Sequence, residues 1–451
     1  MSFNHREIAN KLIKSNDELF ISTSINGLPT GNILTYKHLS ENDGLEKIYF
    51  KILKSDIAYN QILFNKNGSI VIGSEKENIK MFGKAIIIED TEIRKIYEKN
   101  DVKYGFFSFK IENFLLETEE YQGQISSKSP ILNQNQIFSN IVSEIKFWIR
   151  MTRAPFFTAT IIPILLGIVL AWYLLGSFDL ITALLTLLAG IFIHSGTNLI
   201  NDFYDQRADN INDNFTPFNG GSRIIQLRLA TQEKILFSAV VSFVLGIAII
   251  LGLTYVLDLP ELLLLLIAGL FLAFFYSARP LQLSHHGLGE ISNFLGYGPI
   301  LTLSAWLIQT KGSYTLYQIS VVLYWSFIPG LLLVLILIIN EFQDYESDKN
   351  AGKKTIVVRI GKKNGKYLYT IINISTYLII LIGVLIVDTK TIFGTISLVG
   401  IVLFYKASKI INESKDTIID LLPANALTVK NHLLTSLLLM SGFIVTKIVL
   451  S

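Results

Sequence analysis

Apolar residues follow two different rhythms along this 451-residue chain. Up to about residue 120 they come in short runs rich in Ile, Phe, Tyr, Val and Thr: FISTSI, GNILTYKHL, KIYFKIL, GSIVIGS, KAIIIED and FFSFKIENFLLE. Turn signals such as Asn26-Gly27 and Asn67-Gly68 separate them. Two small helices are predicted among these strands, near 4–15 and 55–64. Six short strands without a long helical layer predict an all-β barrel over 1–120. The polar stretch 121–145 reads as a linker. Nine long apolar stretches follow residue 150, near 155–175, 181–200, 235–256, 260–277, 290–309, 317–339, 367–387, 391–406 and 431–450. They predict an all-α membrane bundle of nine transmembrane helices over 146–451, because lipid offers backbone N–H and C=O groups no partner outside a helix. The stretch near 391–406 is the shortest.

Composition sharpens the division. Charged side chains make up a quarter of positions 1–140 but only about an eighth of positions 141–451, so the first part suits water and the second suits lipid. The net charge of +3 conceals that split and suggests no nucleic-acid partner. There is no cysteine, which excludes disulfides, thiolate nucleophiles and cysteine-ligated metal centres. The start of the chain contains no apolar core of a cleavable signal. Alternating the loops between the two membrane faces puts nineteen Lys and Arg on the side of the N-terminal domain and three on the other. That asymmetry predicts a cytoplasmic N-terminal domain and a multi-pass protein of the plasma membrane.

The main chemical signal lies where two apolar stretches end. The second runs into Asn201-Asp202-Phe203-Tyr204-Asp205-Gln206-Arg207-Ala208-Asp209, and the sixth into Asn340-Glu341-Phe342-Gln343-Asp344-Tyr345-Glu346-Ser347-Asp348. Asn201, Asp205 and Asp209 align with Asn340, Asp344 and Asp348 at one constant offset. Spacing of four puts three oxygen-bearing side chains on one helix face, about 6 Å apart along the axis. Both host helices are even-numbered, so the two rows emerge on the same membrane face. Facing carboxylates repel unless a cation lies between them, and hard oxygen donors favour Mg²⁺. Since Mg²⁺ keeps few carboxylates and completes its shell with water and phosphate, the implied partner is a diphosphate. A cation transporter, the alternative of another class, would carry its acids at mid-depth instead. Gly220-Gly221-Ser222-Arg223 follows the first row, and Gly352-Lys353-Lys354-Thr355 with Arg359 follows the second. These loops offer close backbone approach and positive charge to a phosphate. Arg223 and Lys353 are the ligand candidates there, whereas Lys362, Lys363 and Lys366 read as topology charges.

These residues carry a resemblance. N-D-x-x-D-x-x-x-D at 201–209, D-x-x-x-D at 344–348 and the continuation AGKKTIVVRIG resemble the UbiA superfamily of intramembrane prenyltransferases over about 145–451. FWIRMTRAPFFTATIIPILLG, GGSRIIQ, FFYSARPLQL and HGLGEISNFLGYGP look most like the menaquinone branch, whose acceptor is 1,4-dihydroxy-2-naphthoate. Sister branches use hydroxybenzoate, a chlorophyllide-like ring or a glycerol phosphate lipid. The resemblance implies Mg²⁺ on Asn201, Asp205, Asp209, Asn340, Asp344 and Asp348, with Asp202 inside the same catalytic motif. It implies a polyprenyl diphosphate donor gripped by Arg223, Lys353 and Lys354, with its tail in the lipid-like bundle. An allylic cation would be sheltered by aromatic faces, among them Phe203, Tyr204, Tyr276 and Tyr297. Arg150 and Arg153 are candidates for the acceptor carboxylate, the acceptor pocket includes Glu290, and His194 reads as a hydrogen-bonded core residue.

Residues about 5–120 are similar to the split-barrel flavoproteins of the pyridoxamine-phosphate-oxidase and flavin-reductase group, through strand order and the Lys54-Ser55 turn after KIYFKIL. That likeness makes the expected barrel a split barrel able to dimerise. It implies that Lys54 and Ser55 contact FMN or a related flavin.

Overall fold

The computed structural model describes residues 145–450, except 213–215, 217–220, 227–228 and 415–417, together with seven strands in the N-terminal part. The chain divides into two compact units, Met1–Arg150 with Ile224–Thr231, and Met151–Arg223 with Gln232–Ser451.

The first unit contains one antiparallel sheet. Its strands are β1 (Glu18–Ile25), β2 (Leu28–Lys37), β3 (Lys47–Leu53), β4 (Asn67–Gly73), β5 (Asn78–Ile87), β6 (Tyr104–Thr118) and β7 (Tyr121–Ser126). The order is β3-β2-β1-β4-β5-β6-β7, and β3 also pairs with β6. Asn26-Gly27 separates β1 from β2, and Ile25 pairs with Leu28, the register of a two-residue hairpin. β7 falls in the segment that reads as linker. It pairs residue for residue with the end of β6, from Thr118 opposite Tyr121 to Asn113 opposite Ser126.

The second unit is helical. Its elements are α1 (Thr158–Leu175), α2 (Leu180–Tyr204), α3 (Gln206–Ile211), α4 (Gln232–Leu257), α5 (Glu261–Phe275), α6 (Gly289–Leu295), α7 (Leu301–Thr310), α8 (Leu316–Gln343), α9 (Tyr345–Ala351), α10 (Ile356–Ile382), α11 (Ile401–Glu413) and α12 (Ile418–Leu450). A π-helical stretch, Gly296–Ile300, joins α6 to α7.

The expected fold class is corrected. Among the described residues eight helices, not nine, are long and apolar enough to cross a membrane. The stretch expected at 260–277 forms only α5, whose 15 residues rise about 22 Å, short of a hydrocarbon core. Pro260 caps its start and Tyr276 its end. The shortest predicted stretch, near 391–406, is instead long enough, because a 3-10 segment over Thr389–Gly400 runs straight into α11. The expected six-stranded split barrel with small helices is corrected too: the sheet has seven strands, β7 lying in the expected linker, and the helices expected near 4–15 and 55–64 lie outside the described residues.

Close packing explains which residues join the helices. Gly298 lies against Gly330 so closely that a Cβ on either would meet the other's backbone, which draws the π-helical stretch onto α8. Elsewhere, α10 and α12 are joined by buried polar side chains. The Tyr369 hydroxyl lies 2.7 Å from Thr428 Oγ1, and the Tyr377 hydroxyl donates to Asn431 Oδ1 at 2.7 Å. Gly400 packs into this network, and a Cβ there would collide with Thr435, Tyr377 and Asn431. Gly400→Ala is expected to cost about 1–3 kcal/mol. The check is the thermal-aggregation midpoint of detergent-solubilised protein, which an accommodating network would leave unchanged.

Candidate functional site

α2 and α8 end in the same way. Each stops at the middle acid of its motif, Asp205 with φ −86° and ψ 3° and Asp344 with φ −88° and ψ 2°. A short second helix, α3 or α9, then carries the last acid. The break is shallow. Asp209 N still donates to Asp205 O at 2.9 Å, and Asp348 N to Asp344 O at 2.8 Å, so each row stays on one face. The two rows open into one cavity of about 320 Å³, lined by Asn201, Asp205, Asp209, Asn340, Asp344 and Asp348. Apolar residues, among them Ile164, Ile250, Leu262, Leu266 and Leu301, also line it.

The rows are tied to each other and to the loops behind them. Lys353 Nζ lies 2.9 Å from Asp205 Oδ2 and 3.8 Å from Asp348 Oδ1, so one cation bridges both motifs. His285 Nε2 lies 2.7 Å from the other oxygen of Asp205. Asn201 donates from Nδ2 to Asp205 Oδ2 at 2.9 Å and to Ser277 Oγ at 2.7 Å. Asn212 donates to Asp344 at 2.8 Å, and Asn425 to Asn340 at 2.6 Å. Burial alone would raise the Asp205 carboxyl, but Lys353 and His285 outweigh it and hold it below the usual carboxylate range. Burial would likewise strip the proton from Lys353, and Asp205 and Asp348 hold its ammonium charged instead. For Asp209 burial prevails. Arg153 draws its carboxyl down, Asp202 and Asp205 push it up, and it comes to about 7.

Other expected site residues separate into two groups. Arg153, Tyr276, Tyr297 and His194 line the cavity, while Arg150, Asp202, Phe203, Tyr204, Arg223, Glu290 and Lys354 are not among its lining residues. Arg153 sits in a left-handed conformation just before α1 and donates to Asp202 at 2.5 Å and to Asn201 at 3.3 Å. Arg223 donates to the backbone carbonyl of Asp209. Phe203 and Tyr204 pack edge to face with each other at 5.2 Å. Lys354 bonds through its backbone, donating to His285 O at 3.0 Å. His194 is buried, with Nδ1 at 2.7 Å from Thr160 Oγ1 and its ring between Phe157 and Tyr297. Lys54 and Ser55 lie outside the described residues.

Four site residues escape a reading of the sequence. Asn212 stands three positions beyond Asp209, where a signal was available. His285 adjoins the HGLGE run that begins at His286. Ser277 and Asn425 have no local signal, because they come from other elements and reach the motifs only through packing.

The donor set fits a hard divalent cation: six side chains, all binding through oxygen, meet in one cavity with four carboxylates among them. Among the described residues no three His, Asp or Glu side chains are gathered as a ready-made chelate.

Known proteins are similar to this chain. A curated relative from Escherichia coli, 1,4-dihydroxy-2-naphthoate octaprenyltransferase, is 25% identical over 68% of this chain and 97% of its own. The 2-carboxy-1,4-naphthoquinone phytyltransferase of a Synechocystis strain is 28% identical over 53% of this chain and 74% of its own. A solved structure of a UbiA homologue from Archaeoglobus fulgidus, bound to DMAPP and Mg²⁺, covers 65% of this chain and 98% of that one at 16% identity and a TM-score of 0.46. A pyridoxinephosphate-oxidase-family protein from Clostridium acetobutylicum covers 28% of this chain and 95% of that one at 16% identity and a TM-score of 0.25. Residues 160–428 match the UbiA prenyltransferase family, well over half of the chain. With its apolar helices and paired acidic motifs, the protein belongs to the UbiA prenyltransferase family and is a multi-pass membrane prenyltransferase.

Proposed function

We propose that the cavity transfers a polyprenyl group from its diphosphate to an aromatic acceptor, 1,4-dihydroxy-2-naphthoate, with the N-terminal domain on the cytoplasmic side. The observation that carries this reading is the meeting of both acidic rows in one cavity that apolar side chains such as Ile164, Leu262, Leu266 and Leu301 also line. A diphosphate with a hydrocarbon tail combines the same two characters. The names of the naphthoate-using relatives support the choice of acceptor.

Asn201, Asp205, Asp209, Asn340, Asp344 and Asp348 would hold Mg²⁺. When bound, Mg²⁺ neutralises the diphosphate and stabilises the negative charge of its departure. Lys353 stands between the two rows, held charged, and can pass from carboxylate to phosphate oxygen. Arg223 fixes the backbone at Asp209 and so holds the last acid of the first row in place. As the prenyl carbon–oxygen bond breaks, Tyr276 and Tyr297 offer aromatic faces to the allylic cation. Burial keeps the Tyr276 phenol protonated, so it stays neutral beside that cation. Arg153 lines the same cavity and can orient the acceptor carboxylate, while the apolar lining excludes water that would otherwise capture the cation.

The test uses purified full-length chain in liposomes with labelled polyprenyl diphosphate. Dihydroxynaphthoate, hydroxybenzoate and no acceptor are offered in parallel, each with Mg²⁺ and with EDTA. A prenylated naphthalenediol, formed only with Mg²⁺ and with the ring carboxylate released as CO₂, is the expected product. Prenylated hydroxybenzoate in its place would move the protein to another acceptor, and absence of diphosphate release in every arm would end the transferase reading of this cavity.

A further inference from the structure

The second position of each motif is an acid, Asp202 in the first and Glu341 in the second, at the same offset as the rows themselves. Both are buried, at 3% and 5% exposure, which an acid tolerates only with firm partners. Their partners are of one kind. Asp202 accepts from the backbone N–H of Ser222 at 3.3 Å and from the Ser222 hydroxyl, and it also pairs with Arg153. Glu341 accepts from the backbone N–H of Val357 at 3.1 Å. Glu290, from α6, accepts from the N–H of Ile356 at 3.3 Å.

Each acid thus reaches over to the loop that follows its own motif. Ser222 is flanked by Gly221 and Arg223, and Ile356 and Val357 follow Lys353-Lys354-Thr355 directly. The second case has a clear physical cause. The first N–H groups of a helix have no partner within it. At α10 the residue placed to cap them, Thr355, makes no side-chain cap bond. Glu290 and Glu341 take over that duty from two other helices. At the first loop the fit is equally close: a Cβ on Gly221, whose φ is +74°, would run into Asp209 and Arg153.

We infer that Asp202 and Glu341 are positioning residues, duplicated with the motif, that clamp the two cation-bearing loops against the acidic rows. Glu341 acts with Glu290 as a remote cap of α10 and thereby fixes where Lys353 stands. The ion pairs of Lys353 with Asp205 and Asp348 depend on that placement. The inference rests on the proposed diphosphate reading for its consequence in catalysis, but not for the clamp itself.

The experiment compares full-length wild type, Glu341→Ala and Glu341→Gln. Gln keeps an oxygen to accept from Val357, yet it carries no charge. One arm measures kcat/KM for polyprenyl diphosphate with Mg²⁺. The other is limited trypsin digestion read by mass spectrometry, since a released loop presents Lys353 and Lys354 for cleavage. Glu341→Ala is expected to lose tenfold or more in kcat/KM and to be cut after Lys353 or Lys354. Glu341→Gln is expected to stay within about threefold of wild type and uncut. Gln as damaging as Ala in the activity arm would make the charge at 341 the active feature and overturn the clamp. Equal protection of this loop in all three proteins would overturn it as well. If wild type releases no diphosphate, the transferase reading fails while the trypsin arm still decides the clamp.

Discussion

Asp205→Asn and Asp344→Asn are each expected to lower Mg²⁺-dependent diphosphate release by about three powers of ten. Each carboxylate ends a membrane helix and lines the cavity shared by both rows. Either variant removes a charged group that would hold the metal, and such electrostatic stabilisation of a departing anion amounts to several kcal/mol, with about 1.4 kcal/mol per tenfold in rate. Asn has nearly the same volume and still accepts hydrogen bonds, so the helix break should persist. The Asp344 variant is the cleaner of the two, because Asp205 also holds Lys353 and His285. Single-turnover release of labelled diphosphate, with circular dichroism to establish an intact helical fold, makes the measurement. Both variants within threefold of wild type would remove the rows from the chemistry.

Lys353→Met is expected to cost about a hundredfold in kcat/KM and to lower thermal stability as well. Met preserves most of the apolar stem and removes the charge. In the resting protein that charge offsets Asp205 and Asp348 from a position where the Lys side chain is only 14% exposed. Removing one member of a buried pair leaves the other uncompensated, at a cost of about 3–5 kcal/mol. Saturating Mg²⁺ should recover part of the stability but little of the rate, because a metal can neutralise the carboxylates without replacing the ammonium that meets the leaving group. Lys353→Arg should keep the stability and lose part of the rate, since a planar fork does not fit a point-charge position. Wild-type rates in Lys353→Met would exclude the ammonium from leaving-group stabilisation. The pair's own contribution to stability should be flat around neutral pH. A depressed Asp205 adds stability above its unfolded value near 3.9 and loses it only as acid carries the pH down through the folded value. A raised Lys353 adds stability below its unfolded value near 10.4 and loses it only as the pH rises through the folded one.

Much of this site can be read from local spacing. Two rows of oxygen donors at intervals of four, repeated once further along the chain, specify a face on each of two helices, and α2 and α8 present those faces to one cavity. What spacing cannot convey is direction within a motif. Asp202 and Asp205 stand on neighbouring turns, yet Asp205 faces the cavity while Asp202 turns to Ser222 and Arg153. Tyr204 and Tyr276 look alike as aromatic candidates, and only Tyr276 lines the cavity.

The count of spans failed for a related reason. Hydropathy measures how apolar a stretch is, whereas crossing a membrane also needs helical length, and α5 has only 15 residues. The expected meeting of the two rows survives that correction, because the acid ends of α2 and α8 do come together, bridged by Lys353.

A membrane-embedded helical bundle and a pair of hard-oxygen motifs are legible in the order of residues alone, because lipid demands long apolar helices and helical period fixes which side chains share a face. Which helices are long enough to span, which acids face the cavity, and that Ser277, His285 and Asn425 support them emerge only once the chain is folded. Those contacts join residues 76, 80 and 85 positions apart, where no local periodicity reaches and only packing of the folded bundle brings partners together.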